Sequence, residues 1–137
     1  MSQRRVLLFG LAFLVIGAIA GCGGRSTTLT ELQKVRSGML DVVLLSPHEN
    51  LRHGKDEFII QFRSADGTLV DVGDVRANAS MPMPGMPMFG SIDVHKTETP
   101  GQYTAKGEFS MAGTWRVTVE WNGSAGSGSV NFSGTVH

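Results

Sequence analysis

The chain has 137 residues, 12 Lys/Arg balanced by 12 Asp/Glu, 18 glycines and one cysteine. Zero formal net charge supplies no electrostatic pull toward nucleic acid, and a lone thiol excludes both an internal disulfide framework and a multi-thiolate metal site. The length suits one domain with a short appendage.

Arg4 and Arg5 precede an apolar run from Val6 to Ala20, broken only by Gly10 and Gly17. At roughly 15 residues the run is shorter than the ~20 needed to span a bilayer. A basic start, a greasy middle and small residues at the end make it a secretory signal. Ile19-Ala20-Gly21-Cys22 resembles the bacterial lipobox. That resemblance implies cleavage before Cys22, a diacylglyceryl thioether on its sulfur and acylation of the new amino terminus. An uncleaved anchor, or a secreted protein with a stray thiol, is the alternative. The expected organisation is therefore a lipoprotein signal peptide over 1–21, a lipidated tether over 22–37 and a domain over 38–137. Acyl chains contribute ~0.8 kcal/mol per buried methylene, enough for two or three of them to hold the protein on a membrane. The expected location is the cell envelope, facing the periplasm or the cell exterior. Removing 1–21 leaves 116 residues (137 minus 21), and taking Arg4 and Arg5 away leaves 10 basic against 12 acidic groups, a net charge of −2. With Cys22 consumed by lipid, no thiol remains as nucleophile or cross-link, so stability in an oxidising compartment rests on packing.

Gly23 to Ser37 begins small and polar and becomes mildly amphipathic at Leu29, Leu32 and Val35, which reads as a tether with one nascent helical turn. From Gly38 the period changes to two. Strands are expected over 39–45, 57–63, 69–72, 75–80, 91–96, 102–109, 114–121 and 129–136, with Gly73 a bulge and Asn122 to Gly128 a flexible connection. Seven or eight short strands without a helix predict an all-β, Ig-like antiparallel β-sandwich of about seven strands. Since no disulfide is available, Ig-like describes architecture only.

Met81-Pro82-Met83-Pro84-Gly85-Met86-Pro87-Met88 holds four of the six methionines that remain after export. Pro84-Gly85 is the favoured central pair of a type II turn. A chain folding back there sets Met83 opposite Met86 and Met81 opposite Met88. Alternation along the two arms would aim all four thioethers one way. Type II geometry matches hairpin twist poorly, so a wider loop is equally compatible. Thioether sulfur is a soft ligand suited to Cu(I) and Ag(I). It has no proton to lose, so such a site persists at acidic pH. His95 and Met111 are candidate additional ligands if the fold brings them to the loop. The competing reading is an adaptable apolar cap or a docking surface.

Other residues carry less. His48 and His53 flank a polar connection at a spacing that fits neither a helix nor a strand face, and both are expected in solvent. His137 has no supporting neighbours. Trp115 and Trp121 are expected as core or rim aromatics. No serine elbow and no paired histidine and carboxylate stand out, so catalysis is not expected.

The order Gly67…Val70-Asp71…Val75, the Met-Pro octet, Gly101-Gln102-Tyr103 and Met111-Ala112-Gly113-Thr114-Trp115-Arg116-Val117 resembles the YtkA-like domain, a family related in pattern to FixH-type proteins. The resemblance covers about 38–121. It implies an exported or membrane-tethered Ig-like sandwich, encountered alongside copper-efflux and cytochrome oxidase assembly components. It carries Met81, Met83, Met86 and Met111 over as loop and strand positions and Trp115 as the packed aromatic. Relatives place a histidine close to the methionine loop. Here Met88-Phe89 follows, and His95 is the nearest imidazole in sequence. Two functions are expected in competition. One is a lipid-anchored Cu(I)/Ag(I) chaperone or buffer. The other is a metal-free module docking on a membrane complex of the efflux or oxidase-assembly type.

Overall fold

A computed structural model describes residues 28–137; the signal peptide expected over 1–21, and Cys22, lie outside them. The described chain is all-β. Its eight strands are β1 (Thr30–Ser37), β2 (Leu40–Ser46), β3 (Gly54–Ser64), β4 (Asp74–Met81), β5 (Met88–Lys96), β6 (Gln102–Phe109), β7 (Gly113–Gly123) and β8 (Gly126–Val136). Every neighbouring pair is antiparallel, in the order β1-β2-β3-β6-β5-β4-β7-β8.

Strand composition explains why this ribbon rolls up. In β7, Trp115, Val117, Val119 and Trp121 alternate with Arg116, Thr118 and Glu120, and the first set is buried. In β3 the inward set is Phe58, Ile60 and Phe62. Phe62 meets Trp121 edge-on at 5.3 Å between ring centroids and Tyr103 at 5.5 Å. Strands β3 and β7 are separated by three others in the sheet, so the Phe62–Trp121 contact crosses the interior between two facing layers. The sheet is thus a flattened, nearly closed roll around one core, and burial of its large inward side chains, each worth ~1.5–3 kcal/mol, drives the closure. The outer edges β1 and β8 come alongside each other. Leu51 bridges Val136 in parallel, and the His53 and His137 amides bond the carbonyls of His137 and Leu51 at 2.8 and 3.0 Å.

Several expectations need correction. The segment 30–37 is strand β1, not tether or helical turn, so the folded unit begins inside the stretch assigned to the tether. Residues 69–72 form no strand; Leu69 makes a single bridge to Arg63, and the Val70 amide bonds the Phe62 carbonyl at 2.8 Å. Gly73 accordingly lies in a connection and is not a bulge. That connection is held by the Tyr103 hydroxyl, which donates to the Gly73 carbonyl at 2.9 Å. The run from Asn122 to Gly128 is not a loose connection either: β7 and β8 pair through Gly123↔Gly126 around a tight Ser124-Ala125 turn. The other seven expected strands are present, with ends shifted by a few residues at most.

Strand direction fixes what gathers at each end of the roll. At one end the chain leaves β4 for β5, leaves β6 for β7, finishes β2 and β8, and starts β1 and β3. The methionine octet is at this end.

Candidate methionine rim

The octet folds back as expected at Pro84-Gly85, where Gly85 has φ of 81°, the left-handed value that position three of a type II turn requires. Ladder pairing ends at Met81↔Met88. Residues 82–87 form a loop wider than a two-residue hairpin, in keeping with the poor match of type II geometry to hairpin twist.

This end of pairing splits the four thioethers. Met81 is 7% exposed and belongs to the core, and Met88, directly opposite, is half-buried against it. Met83 and Met86 lie beyond the ladder and are 43% and 79% exposed. The four therefore differ in burial, since Met83 and Met86 lie where the strand pairing no longer continues. Phe89, on the outward face of β5, is also exposed, at 76%.

The β6–β7 turn, residues 110–112, is at the same end as this loop, since β7 starts beside the end of β4, at Ser80↔Arg116. It brings Met111, 38% exposed, to the same end. The Met-Ala-Gly-Thr-Trp run explains how. The fully buried Trp115 donates its indole N–H to the Met111 carbonyl at 2.9 Å, tying the turn to the core. Its ring packs edge-on against Phe109, with centroids 5.4 Å apart. Gly113, with φ of 142°, leaves open the space that the Met81 methyl fills: a Cβ there would lie 2.6 Å from Met81 Cε and 3.7 Å from its sulfur. Met81 and the turn that carries Met111 are thus packed together. Five methionines lie along one end of the fold, a rim graded from the buried Met81 to the exposed Met86.

His95 does not join it. It pairs with Thr104 near the far end of β5, seven residues from Met88 at ~3.3 Å each, or about 23 Å along the strand. His48, His53 and His137 all lie next to strand ends at the methionine end; of these His53, expected only as a solvated residue, reaches the β6–β7 turn, its Nε2 3.1 Å from the Ser110 carbonyl, next to Met111. No sequence pattern links residues 53 and 110. The Gly54↔Phe109 register between β3 and β6 makes them neighbours.

Asp71, which with Asp74 could be read as a weak cation site, is on the other side of the fold near Lys96, at 3.9 Å, and accepts from the Gly73 amide at 2.9 Å. That amide bond, with the nearby lysine, holds its carboxyl below the usual range.

Among protein families, the one described as YtkA-like matches residues 35–120, more than half the chain. No curated protein matches at a significant level. Three solved structures are similar in fold. The Lin-41 filamin domain is 15% identical, with 64% of this chain and 81% of that one covered and a TM-score of 0.43. FetP of a uropathogenic E. coli is 10% identical, with 77% and 93% covered and a TM-score of 0.44. The ZirS C-terminal domain is 10% identical, with 100% and 84% covered and a TM-score of 0.43.

Proposed function

The chain belongs to the YtkA-like family, and from that premise we propose that it is an extracytoplasmic copper(I) chaperone or buffer, lipid-anchored through Cys22. The observation that carries this reading is the convergence of Met81, Met83, Met86, Met88 and Met111 on one end of a rigid roll. Neutral thioethers bind a soft monovalent ion without releasing protons. The gradation of exposure gives a capture route: Met86 and Met83 reach into solvent, while Met88 and Met81 are seated on the core. An ion can pass between these positions by exchanging one sulfur at a time, and leave for a partner's ligands in the same manner. A copper-efflux or oxidase-assembly protein is the class of recipient that this role requires. The reading is one of binding and transfer.

A silver titration of the full-length chain in detergent, followed by methionine methyl resonances, tests it. Saturable shifts at the five rim methionines, persisting at mildly acidic pH and absent after leucine replacement of Met81, Met83, Met86 and Met88, are expected. Identical titrations of the two proteins would end the copper reading.

One observation favours a second reading. Met86 and Phe89 are both more than three-quarters exposed, so the loop also offers an apolar tip for a metal-free contact with a membrane complex. In that case leucine replacement, which keeps volume and apolarity, would leave partner capture intact and chelators would have no effect.

A further inference from the structure

We propose that His53 is the nitrogen donor of the rim, so that the ion is held by a mixed imidazole and thioether set instead of by sulfur alone. The inference rests on the copper(I)/silver(I) reading above and names a ligand that neither sequence spacing nor strand pattern reveals.

Three observations lead to it. First, the His53 ring is oriented by the fold. Its Nε2 lies 3.1 Å from the Ser110 carbonyl oxygen. A carbonyl only accepts, so Nε2 carries the proton. In the neutral ring the lone pair is then on Nδ1. A histidine whose one nitrogen donates to a backbone carbonyl while the other is free has the arrangement that metal-binding imidazoles use, because the bond fixes tautomer and ring orientation together.

Second, the backbone beneath the ring is anchored. The His53 amide donates to the His137 carbonyl at 2.8 Å, and the His137 amide to the Leu51 carbonyl at 3.0 Å. The segment before β3 is therefore tied to the end of β8, and little ordering is left for a ligand to impose.

Third, the ring contacts the turn that carries Met111. Ser110 precedes Met111, whose carbonyl is held by Trp115, and Gly113 of the same turn contacts the Met81 methyl. His53, Met111 and Met81 thus come from three elements that meet at one turn. Among the described residues no three His, Cys, Asp or Glu side chains converge, so a site built on this imidazole needs sulfur donors. Imidazole suits copper as well as thioether does, and a nitrogen donor adds affinity that sulfur alone does not supply.

The test is a silver titration of the full-length chain in detergent, read by long-range nitrogen–proton correlation at the imidazoles and by methionine methyl shifts. The His53→Gln variant is titrated in parallel, with His95→Gln as control. Glutamine retains an N–H for the Ser110 carbonyl but presents no soft nitrogen, and amide spectra report whether the fold is kept. The expected result is a shift of the His53 Nδ1 resonance on silver addition, with at least ~10-fold weaker binding in His53→Gln and none of this loss in His95→Gln. Methionine shifts with an unmoved His53 resonance and equal affinity in His53→Gln would overturn the nitrogen donor and leave the thioether site standing. Absence of any silver binding would remove both.

Discussion

Alanine replacement of Met81 and Met86, one at a time, sets two residues of the same type, five positions apart, against each other. Met81 is 7% exposed and its methyl occupies the space that Gly113 leaves free. Alanine strips everything beyond Cβ and opens a void beside Gly113. Truncating a buried methionine costs ~2–5 kcal/mol, depending on how far the site collapses or fills. Met81 is the last residue of its strand, at the edge of the core, so water and the adjoining turn can relieve part of the void. The low end, ~2 kcal/mol, is expected. For a domain of this size that corresponds to a fall in Tm of about 8 °C. Met86, 79% exposed, has little packing to lose, and its removal should stay within ~0.5 kcal/mol. Thermal melts by circular dichroism and urea titrations at unchanged m-value measure both. Equal losses at the two positions, or a larger one at Met86, would refute the division of the loop into core and rim halves.

Three further outcomes follow from individual contacts. Gly128→Ala would place a Cβ inside the Trp121 indole, 2.8 Å from Cε2; the buried ring has nowhere to go, and a loss of ~3 kcal/mol in urea melts is expected. Tyr103→Phe removes the 2.9 Å bond to the Gly73 carbonyl and should cost ~1 kcal/mol by the same measurement, whereas no change would mean that water replaces the hydroxyl. Asp66 accepts from the Ser64 hydroxyl and the Thr68 amide, which lower its pKa from 3.8 to about 2. A carboxyl depressed on folding stabilises the fold fully above its ordinary pKa, and that contribution disappears as pH falls from about 4 toward 2. Carboxyl NMR should show an Asp66 midpoint near 2, and Asp66→Asn should have a flatter stability profile across that window; a midpoint at the ordinary value would dismiss the turn's hydrogen bonds.

Legibility of the fold followed the strength of alternation. The Trp115 to Trp121 strand is readable because four inward residues are large and their neighbours polar, and all four are buried. Strand β1 is unreadable for a physical reason: a bulge between Glu31 and Gln33 breaks its register with β2. Leu32 and Val35 consequently sit three apart and imitate a helical stripe. The methionine octet was legible as a reversal at Pro84-Gly85, and Met111 as a neighbour through the family motif. Which thioethers are buried was not, because that depends on where the ladder stops, and the stop after Met81↔Met88 is known only once the strands are paired. His95 attracted attention by nearness in sequence, yet a strand carries nearby residues apart at ~3.3 Å per step. His53 was passed over since its partner is a backbone oxygen contributed by the β6–β7 turn.

The polarity of β1 has a consequence for how such a molecule would work at a surface. Thr30 enters the roll at the end that bears the methionines. From Cys22 to Thr30 the chain can extend at most about 28 Å, at ~3.5 Å per residue. A lipid at Cys22 would therefore leash the sulfur-rich tip close above the bilayer. Cargo would then be traded laterally, with proteins resident in the same leaflet, and the search for a recipient would run in two dimensions instead of three.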